Sequence, residues 1–155
     1  MISYKDILDD INTIVTDHLE LRRFIRGPVS EIDINKLAQD EFPFCYTECT
    51  SVDLDGGSLT YTLDVIVAQL INDDLTDRTD AYDSTLLILK DVLHVILHSQ
   101  YGRSIAAKIQ NRIDLNLPVT ITPFTARFDN DLTGWQASID ITVDNENNLC
   151  ISPFA

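Results

Sequence analysis

Residues 42–71, with the sequence FPFCYTECTSVDLDGGSLTYTLDVIVAQLI, decide the fold of this chain. They predict two long strands joined by a tight turn at Asp55-Gly56-Gly57, because glycine tolerates positive φ and the flanking runs are rich in β-branched and aromatic side chains. From Leu59 to Val67 apolar and polar residues alternate, as expected of a strand with one buried face. An isolated hairpin is only marginally stable in water, so we expect further strands or helices on its apolar face.

The composition indicates one acidic domain. With 155 residues and 45% hydrophobic content, the chain can bury one core, and we interpret residues 1–155 as a single domain. Lys and Arg total 11 against 25 Asp and Glu, a formal net charge of −14, which argues against a duplex-DNA binder that neutralises phosphates. A protein that DNA passes without being held remains compatible, and acidity also serves solubility. Since no basic and apolar leader opens the sequence and no stretch approaches the ~20 apolar residues of a membrane span, we expect a protein folded in the cytoplasm, with no membrane partner.

Two helices are predicted, one before and one after the hairpin. The first runs from Ser3 to about His18, with Ser3 as the N-cap, Asp6 at the capping-box position and a single apolar stripe. The second, roughly Ala81 to Ser99, is long and apolar on more than one flank. It is therefore the expected core helix.

The last third of the chain predicts two more strands. Pro118 and Pro123 confine the first, residues 117–125, to an edge or a bulge. Residues 135–143 form the cleanest amphipathic strand of the chain. The predicted fold class is α+β, an antiparallel sheet of about four strands with two main helices packed on it. The expected core positions are Phe44, Tyr61, Leu63, Val65, Leu89, Leu93, Trp135, Ile139 and Ile141. Trp135 has an interface as its alternative, although a tryptophan in such a place more often fills a core.

The densest basic cluster lies between the first helix and the hairpin. It contains Arg22, Arg23 and Arg26, in a segment that is either a helix end or a short strand and that Gly27-Pro28 stops. These arginines could contact an acidic neighbouring subunit, but we interpret them as an ordinary solvated cluster.

The cysteines and histidines do not form a recognisable site. Cys45, Cys49 and Cys150 are no disulfide framework. Cys45 and Cys49 share a strand face roughly 13 Å apart, whereas a disulfide needs Cα atoms within about 7 Å. We interpret them as buried reduced thiols rather than a Cx3C metal site. His94 and His98 have the spacing of a metal pair but lack the Glu of HExxH, so we interpret them as helix-surface histidines.

Catalytic motifs are missing from the sequence. There is no GxSxG elbow, no GxxxxGK[ST] phosphate loop, no GxGxxG after a strand and no EF-hand loop. A cysteine–histidine nucleophile pair has no local support. We therefore expect a protein that is not an enzyme and that uses no cofactor or metal.

A basic segment after the second helix and an acidic segment before it carry opposite charges. Opposite patches on one small domain suit head-to-tail self-association, although unrelated surface charges would give the same pattern. The candidate subunit interface consists of Arg103, Lys108, Arg112, Asp73, Asp74 and Asp77.

The order of these segments resembles small structural proteins of tailed bacteriophages, the tail-terminator and tail-completion group of the virion neck. The resemblance is carried by FPFCYTE, the hairpin ending TYTLDVIVAQLI, the helix DSTLLILKDVLHVI, the run TPFTARFDNDLTGWQASIDITV and the terminal NLCISP. It implies an α+β domain that assembles into a ring, typically a hexamer, which caps the tail tube and joins it to the head connector. It also implies that DNA passes through the lumen of this ring without specific binding. The implied partners are other copies of the chain, tail-tube proteins and head-connector proteins, and the implied location is the virion tail or neck.

Two alternatives remain open. A neck or collar ring protein of a short-tailed phage would have much the same sequence features. A monomeric acidic cytoplasmic binding module or inhibitor is the other alternative, in which acidity serves solubility or mimics nucleic acid. Mimicry needs carboxylates along one exposed face, and the spread of the acids over several segments argues mildly against it.

Overall fold

The computed structural model describes residues 2–27, 41–71, 76–97, 114–125 and 132–144. Helices and strands alternate in blocks along these ranges, so the α+β class is confirmed. The elements are α1 (Tyr4–Asp17), β1 (Arg23–Arg26), β2 (Phe44–Asp55), β3 (Ser58–Leu70), α2 (Arg78–Leu97), β4 (Asp114–Leu115), β5 (Thr120–Thr125) and β6 (Leu132–Asp144).

All the described strands belong to one sheet, in the order β1-β2-β3-β6-β4, with β5 also paired to β6. The predicted antiparallel centre is confirmed, because β2 pairs with β3 and β3 with β6 along nearly their whole lengths. β5 is also antiparallel to β6. The sheet is larger than the predicted four strands. It gains β1, which runs parallel to β2, and the two-residue β4, which is too short to show a period.

The hairpin turn is confirmed, but its geometry differs from the expectation. Asp55 pairs with Ser58 across Gly56-Gly57, and the Gly56 N–H donates to Asp55 Oδ1 at 2.6 Å. Neither glycine lies in the left-handed region. The turn therefore forms without the positive φ that glycine would have permitted.

A β-bulge interrupts β2 at Thr50. The register passes from Cys49 opposite Leu63 to Ser51 opposite Thr62, which leaves Thr50 without a partner residue. The Thr50 hydroxyl donates to the Thr62 carbonyl at 3.2 Å. Beyond the bulge, the side chains of β2 exchange faces relative to a regular strand.

The first helix starts with the predicted capping box. Asp6 N–H donates to Ser3 Oγ at 3.2 Å, and Ser3 N–H donates to Asp6 Oδ2 at 2.8 Å. The Ser3 hydroxyl also donates to Asp6 Oδ2 at 2.8 Å. The hydrogen bonds from the Ser3 N–H and from the Ser3 hydroxyl to this carboxylate hold the pKa of Asp6 below its usual value. The second helix is also confirmed, although it begins at Arg78 rather than Ala81.

Both helices pack on the same face of the sheet, which we call the inner face. Trp135 belongs to this side: its Nε1 donates to the Tyr82 carbonyl at 2.8 Å, and the two rings meet edge to face at 5.6 Å. It is half-buried, whereas the other predicted core residues are fully buried. The buried residues of the inner core include Ile7, Ile11, Ile14, Val15, Cys45, Tyr61, Leu63, Val65, Val67, Ile88, Leu89, Val92, Leu93, Ile96, Ala137, Ile139, Ile141 and Val143.

A smaller apolar cluster lies at one end of the opposite face, which we call the outer face. The Tyr46 hydroxyl donates to the Gly27 carbonyl there. Next to it, β3 and β6 approach closely at Gly134, where a Cβ would contact the Val67 carbonyl oxygen and lie 2.7 Å from Ala68 Cα. Only glycine fits at this position. The buried members of the cluster are Phe44, Tyr46, Ile66, Ala68 and Leu132.

Candidate functional site

The remainder of the outer face collects the acidic residues of the three long strands. Side chains alternate between faces along a strand, and the register places Glu48 opposite Asp64 and Thr62 opposite Asp140. No Lys, Arg or His occurs in β2, β3 or β6, and the inner face of these strands carries no charge. We call this surface the acidic face; its carboxylates are Glu48, Asp53, Asp55, Asp64, Asp140 and Asp144.

Hydroxyl groups separate these carboxylates. Thr62 Oγ1 donates to Asp140 Oδ1 at 2.7 Å, and the hydroxyls of Thr60 and Thr142 lie 3.1 Å apart. Carboxylates directly opposite each other on neighbouring strands, such as Glu48 and Asp64, repel. The acidic face therefore presents hydrogen-bond acceptors and a negative potential, which repel a polyanion and attract a basic segment.

The structure brings together part of the acids that the sequence spreads over several segments, a spread that argued mildly against mimicry of nucleic acid. The acids of β2, β3 and β6 share one face of the sheet, whereas those of α1 and α2 belong to other elements. The alternation of apolar and polar residues in β3 and β6 is enough to predict that Asp64 and Asp140 lie on the same face of the sheet, because both occupy polar positions of amphipathic strands. Asp53 and Asp55 of β2 needed the bulge at Thr50, which the pattern does not show.

Of the predicted subunit-interface residues, Asp77 is the one that the structure describes. It precedes α2, and its carbonyl accepts a hydrogen bond from Ala81 N–H at 3.0 Å. Its position at the start of this helix agrees with the sequence. Arg103, Lys108, Arg112, Asp73 and Asp74 lie outside the described residues, so their pairing stays a prediction.

An open groove of about 560 Å³ lies between the end of α1 and α2. His18 is fixed at its rim: Nδ1 accepts from the Glu20 N–H at 3.2 Å, and Nε2 lies 3.5 Å from Asp91 Oδ2. Because Nδ1 acts as an acceptor, a neutral imidazole carries its proton on Nε2, towards Asp91. The described lining residues are Ile14, Asp17, His18, Leu19, Glu20, Asp91, His94 and Val95.

The groove offers acids and imidazoles over an apolar floor, but its described lining includes no hydroxyl or thiol nucleophile. His94 is exposed on α2, which confirms its interpretation as a helix-surface histidine. His98 lies outside the described residues. Across the described ranges, no three His, Cys, Asp or Glu side chains are grouped to hold a metal ion.

No protein-family model matches this chain, and no curated protein matches it either. Neither of the two described helices is long and apolar enough to cross a membrane.

The two described cysteines are protonated thiols. Cys45 is fully buried, and burial raises its pKa to about 12. Cys49 lies on the same face of β2, half-buried, and burial raises its pKa as well. A thiol with a raised pKa is a poor nucleophile at neutral pH, because the thiolate is the reactive form. Both cysteines are free, as the sequence predicted, and Cys150 lies outside the described residues.

Proposed function

We propose that this chain is a structural protein of a tailed-phage neck or tail, which assembles into a ring, typically a hexamer, that terminates the tail tube. The observation that carries the proposal is the acidic face: every carboxylate of β2, β3 and β6 lies on one side of the sheet, without a basic residue in these strands. A channel that DNA must traverse cannot hold phosphates, and carboxylates repel them. The acidic face is the surface that would line the lumen.

The resemblance of the sequence segments supports the same role. In such a ring the partners are other copies of the chain, tail-tube proteins and head-connector proteins, and the protein resides in the virion. The basic residues Arg103, Lys108 and Arg112 of one copy would face the acidic segment before α2 of its neighbour, to which Asp77 belongs. This contact is electrostatic, so it should weaken with salt.

Assembly is tested by light scattering over a wide range of protein concentrations, with negative-stain images of the eluted species. Closed rings are the expected result, in solution or on isolated tail tubes. The double variant Arg103→Glu, Lys108→Glu should lower the assembly mass at low salt, whereas the matched variant Arg22→Glu, Arg23→Glu should not. A strict monomer under all these conditions would refute the ring.

The orientation of the ring is tested separately by reversing charge. The double variant Asp53→Lys, Asp55→Lys should make the ring retain duplex DNA at low salt. The control variant Asp80→Lys, Asp83→Lys has the same net charge, but its lysines lie on the exposed side of α2. Equal retention by both variants would show that the acidic face does not line the lumen.

A second candidate is a monomeric acidic binding module or inhibitor. It is favoured by the convergence of the carboxylates on one face, which a basic protein partner could recognise. The two candidates differ in mass, because the module stays a monomer and binds a heterologous partner. A neck or collar ring of a short-tailed phage would share the ring and differ in what docks on its two ends.

A further inference from the structure

Among the described residues, nothing pairs with the distal half of β2 along the edge that faces away from β3. β1 covers β2 only from Phe44 to Thr47, and no described strand pairs with the outer edge of β2 beyond that point. Residues 50–55 are exposed. We call the edge of β2 that faces away from β3, from Glu48 to Asp55, the arm edge. Such an edge presents unpaired main-chain donors and acceptors, which can pair with another strand.

The two sides of the arm edge differ in chemistry. On the inner side, Val52 is 48% exposed and Leu54 is 73% exposed. On the outer side lie the carboxylates of Glu48, Asp53 and Asp55, which belong to the acidic face. A strand added to this edge would therefore place alternate side chains on an apolar surface and on an acidic surface.

We propose that the arm edge binds an extended segment of a partner protein by strand addition, and that this segment alternates basic with apolar residues. Main-chain hydrogen bonds supply affinity in this mode of recognition, and the alternating side chains supply specificity. The apolar residues cover Val52 and Leu54, and the basic residues contact the carboxylates. The inference stands on the geometry of the edge and does not require that the chain form a ring.

A second copy of the same edge is a poorer occupant. Antiparallel pairing of two arm edges about Val52 would place the Glu48 of each copy opposite the Asp55 of the other, once the bulge is taken into account. Like charges directly opposite each other destabilise a strand pair. The carboxylates thus protect the edge against its own copies, and they attract a basic strand.

The register identifies the main-chain groups that would bind the partner. A two-residue turn leaves its flanking residues, Asp55 and Ser58, as a hydrogen-bonded pair. Because such pairs alternate along an antiparallel ladder, the N–H groups of Val52 and Leu54 point to the open edge. Their exchange with solvent should be fast in the free protein and slow in the complex.

The probe is a short synthetic peptide that alternates lysine with valine, with capped ends. Its controls are two N-methylated versions of unchanged charge, one methylated at the lysine amides and one at the valine amides, so that each lacks the donors of one edge. The peptide should bind the full chain and slow the exchange of the Val52 and Leu54 amides, measured by NMR. At least one methylated version should bind at least tenfold more weakly.

Charge variants complete the test. Asp53→Asn, Asp55→Asn should weaken peptide binding about tenfold, whereas Asp80→Asn, Asp83→Asn should leave it unchanged. Equal binding of all three peptides would mean attraction to net charge alone and would overturn the proposal, as would unchanged exchange at Val52 and Leu54. If the wild-type protein formed a dimer joined through the arm edge, a second copy of the chain would be the occupant, and the proposal of a basic partner segment would be overturned. The assembly mass of the same samples, measured without peptide, reports on the ring independently.

Discussion

Replacement of Gly134 by alanine tests the close approach of β3 and β6 at the centre of the sheet. The added Cβ would meet the Val67 carbonyl oxygen and would lie 2.7 Å from Ala68 Cα and 2.9 Å from the Val67 carbonyl carbon. Carbon atoms in contact are normally about 3.5–4.0 Å apart, so β3 and β6 must separate by roughly 1 Å. All three contacts are backbone atoms, which cannot rotate away. We expect Gly134→Ala to lower the free energy of unfolding by about 3 kcal/mol.

The measurement is urea unfolding followed by far-UV circular dichroism and by the fluorescence of Trp135. Gly56→Ala and Gly57→Ala are matched controls, because no atom lies within 4 Å of the added Cβ and neither glycine is left-handed. These two variants should change the free energy by less than about 1 kcal/mol, in the stabilising direction. A Gly134→Ala protein within about 0.5 kcal/mol of the wild type would refute the steric reasoning.

Three further predictions concern the helix cap, the hydrogen bond of the half-buried Trp135 and the buried thiol. Ser3→Ala should cost about 1 kcal/mol of stability in urea unfolding because the α1 cap is lost; an equal loss from the exposed Thr16→Ala would contradict this. Trp135→Phe should cost about 1 kcal/mol, since the hydrogen bond from the indole N–H to the Tyr82 carbonyl is lost; an unchanged unfolding midpoint would show that the hydrogen bond contributes nothing. The Cys45 pKa is raised to about 12, so its contribution to stability is complete below the ordinary thiol pKa of about 8.5 and is lost as pH rises towards 12. A Cys45→Val variant should therefore lose less stability than the wild type between these pH values, and equal losses would show that the thiol does not titrate in this way.

The elements predicted well are those whose signals are local. The capping box of Ser3 and Asp6 and the apolar stripe behind it define α1 within a few residues. The period of two defines β3 and β6, because each has one face on the core. By contrast, the parallel pairing of β1 with β2 depends on residues that are distant in sequence. The alternation of apolar and polar residues along a strand does not indicate which other strand lies beside it.

The candidate surface was less predictable for the same reason. The charge of −14 shows an excess of acids, but only the register shows that Asp64, Asp140 and the β2 acids share a face. The open edge depends on where β1 ends relative to β2, and that boundary results from packing. The predicted interface residues were selected by charge along the chain, which carries no information about distance in the fold.

The bulge at Thr50 determines which side chains of the arm edge lie on each face of the sheet. In an uninterrupted strand, Asp53 and Asp55 would lie on the same side as Cys49, and Val52 and Leu54 would lie with Glu48. One unpaired residue reverses this assignment for everything between it and the turn. Deletion of Thr50 would leave both sides of the arm edge as they are, because Ser51 would then follow Cys49 directly and the strand would alternate regularly from there. The bulge therefore lets β2 contain one additional residue while Asp53 and Asp55 stay with Glu48 on the acidic face.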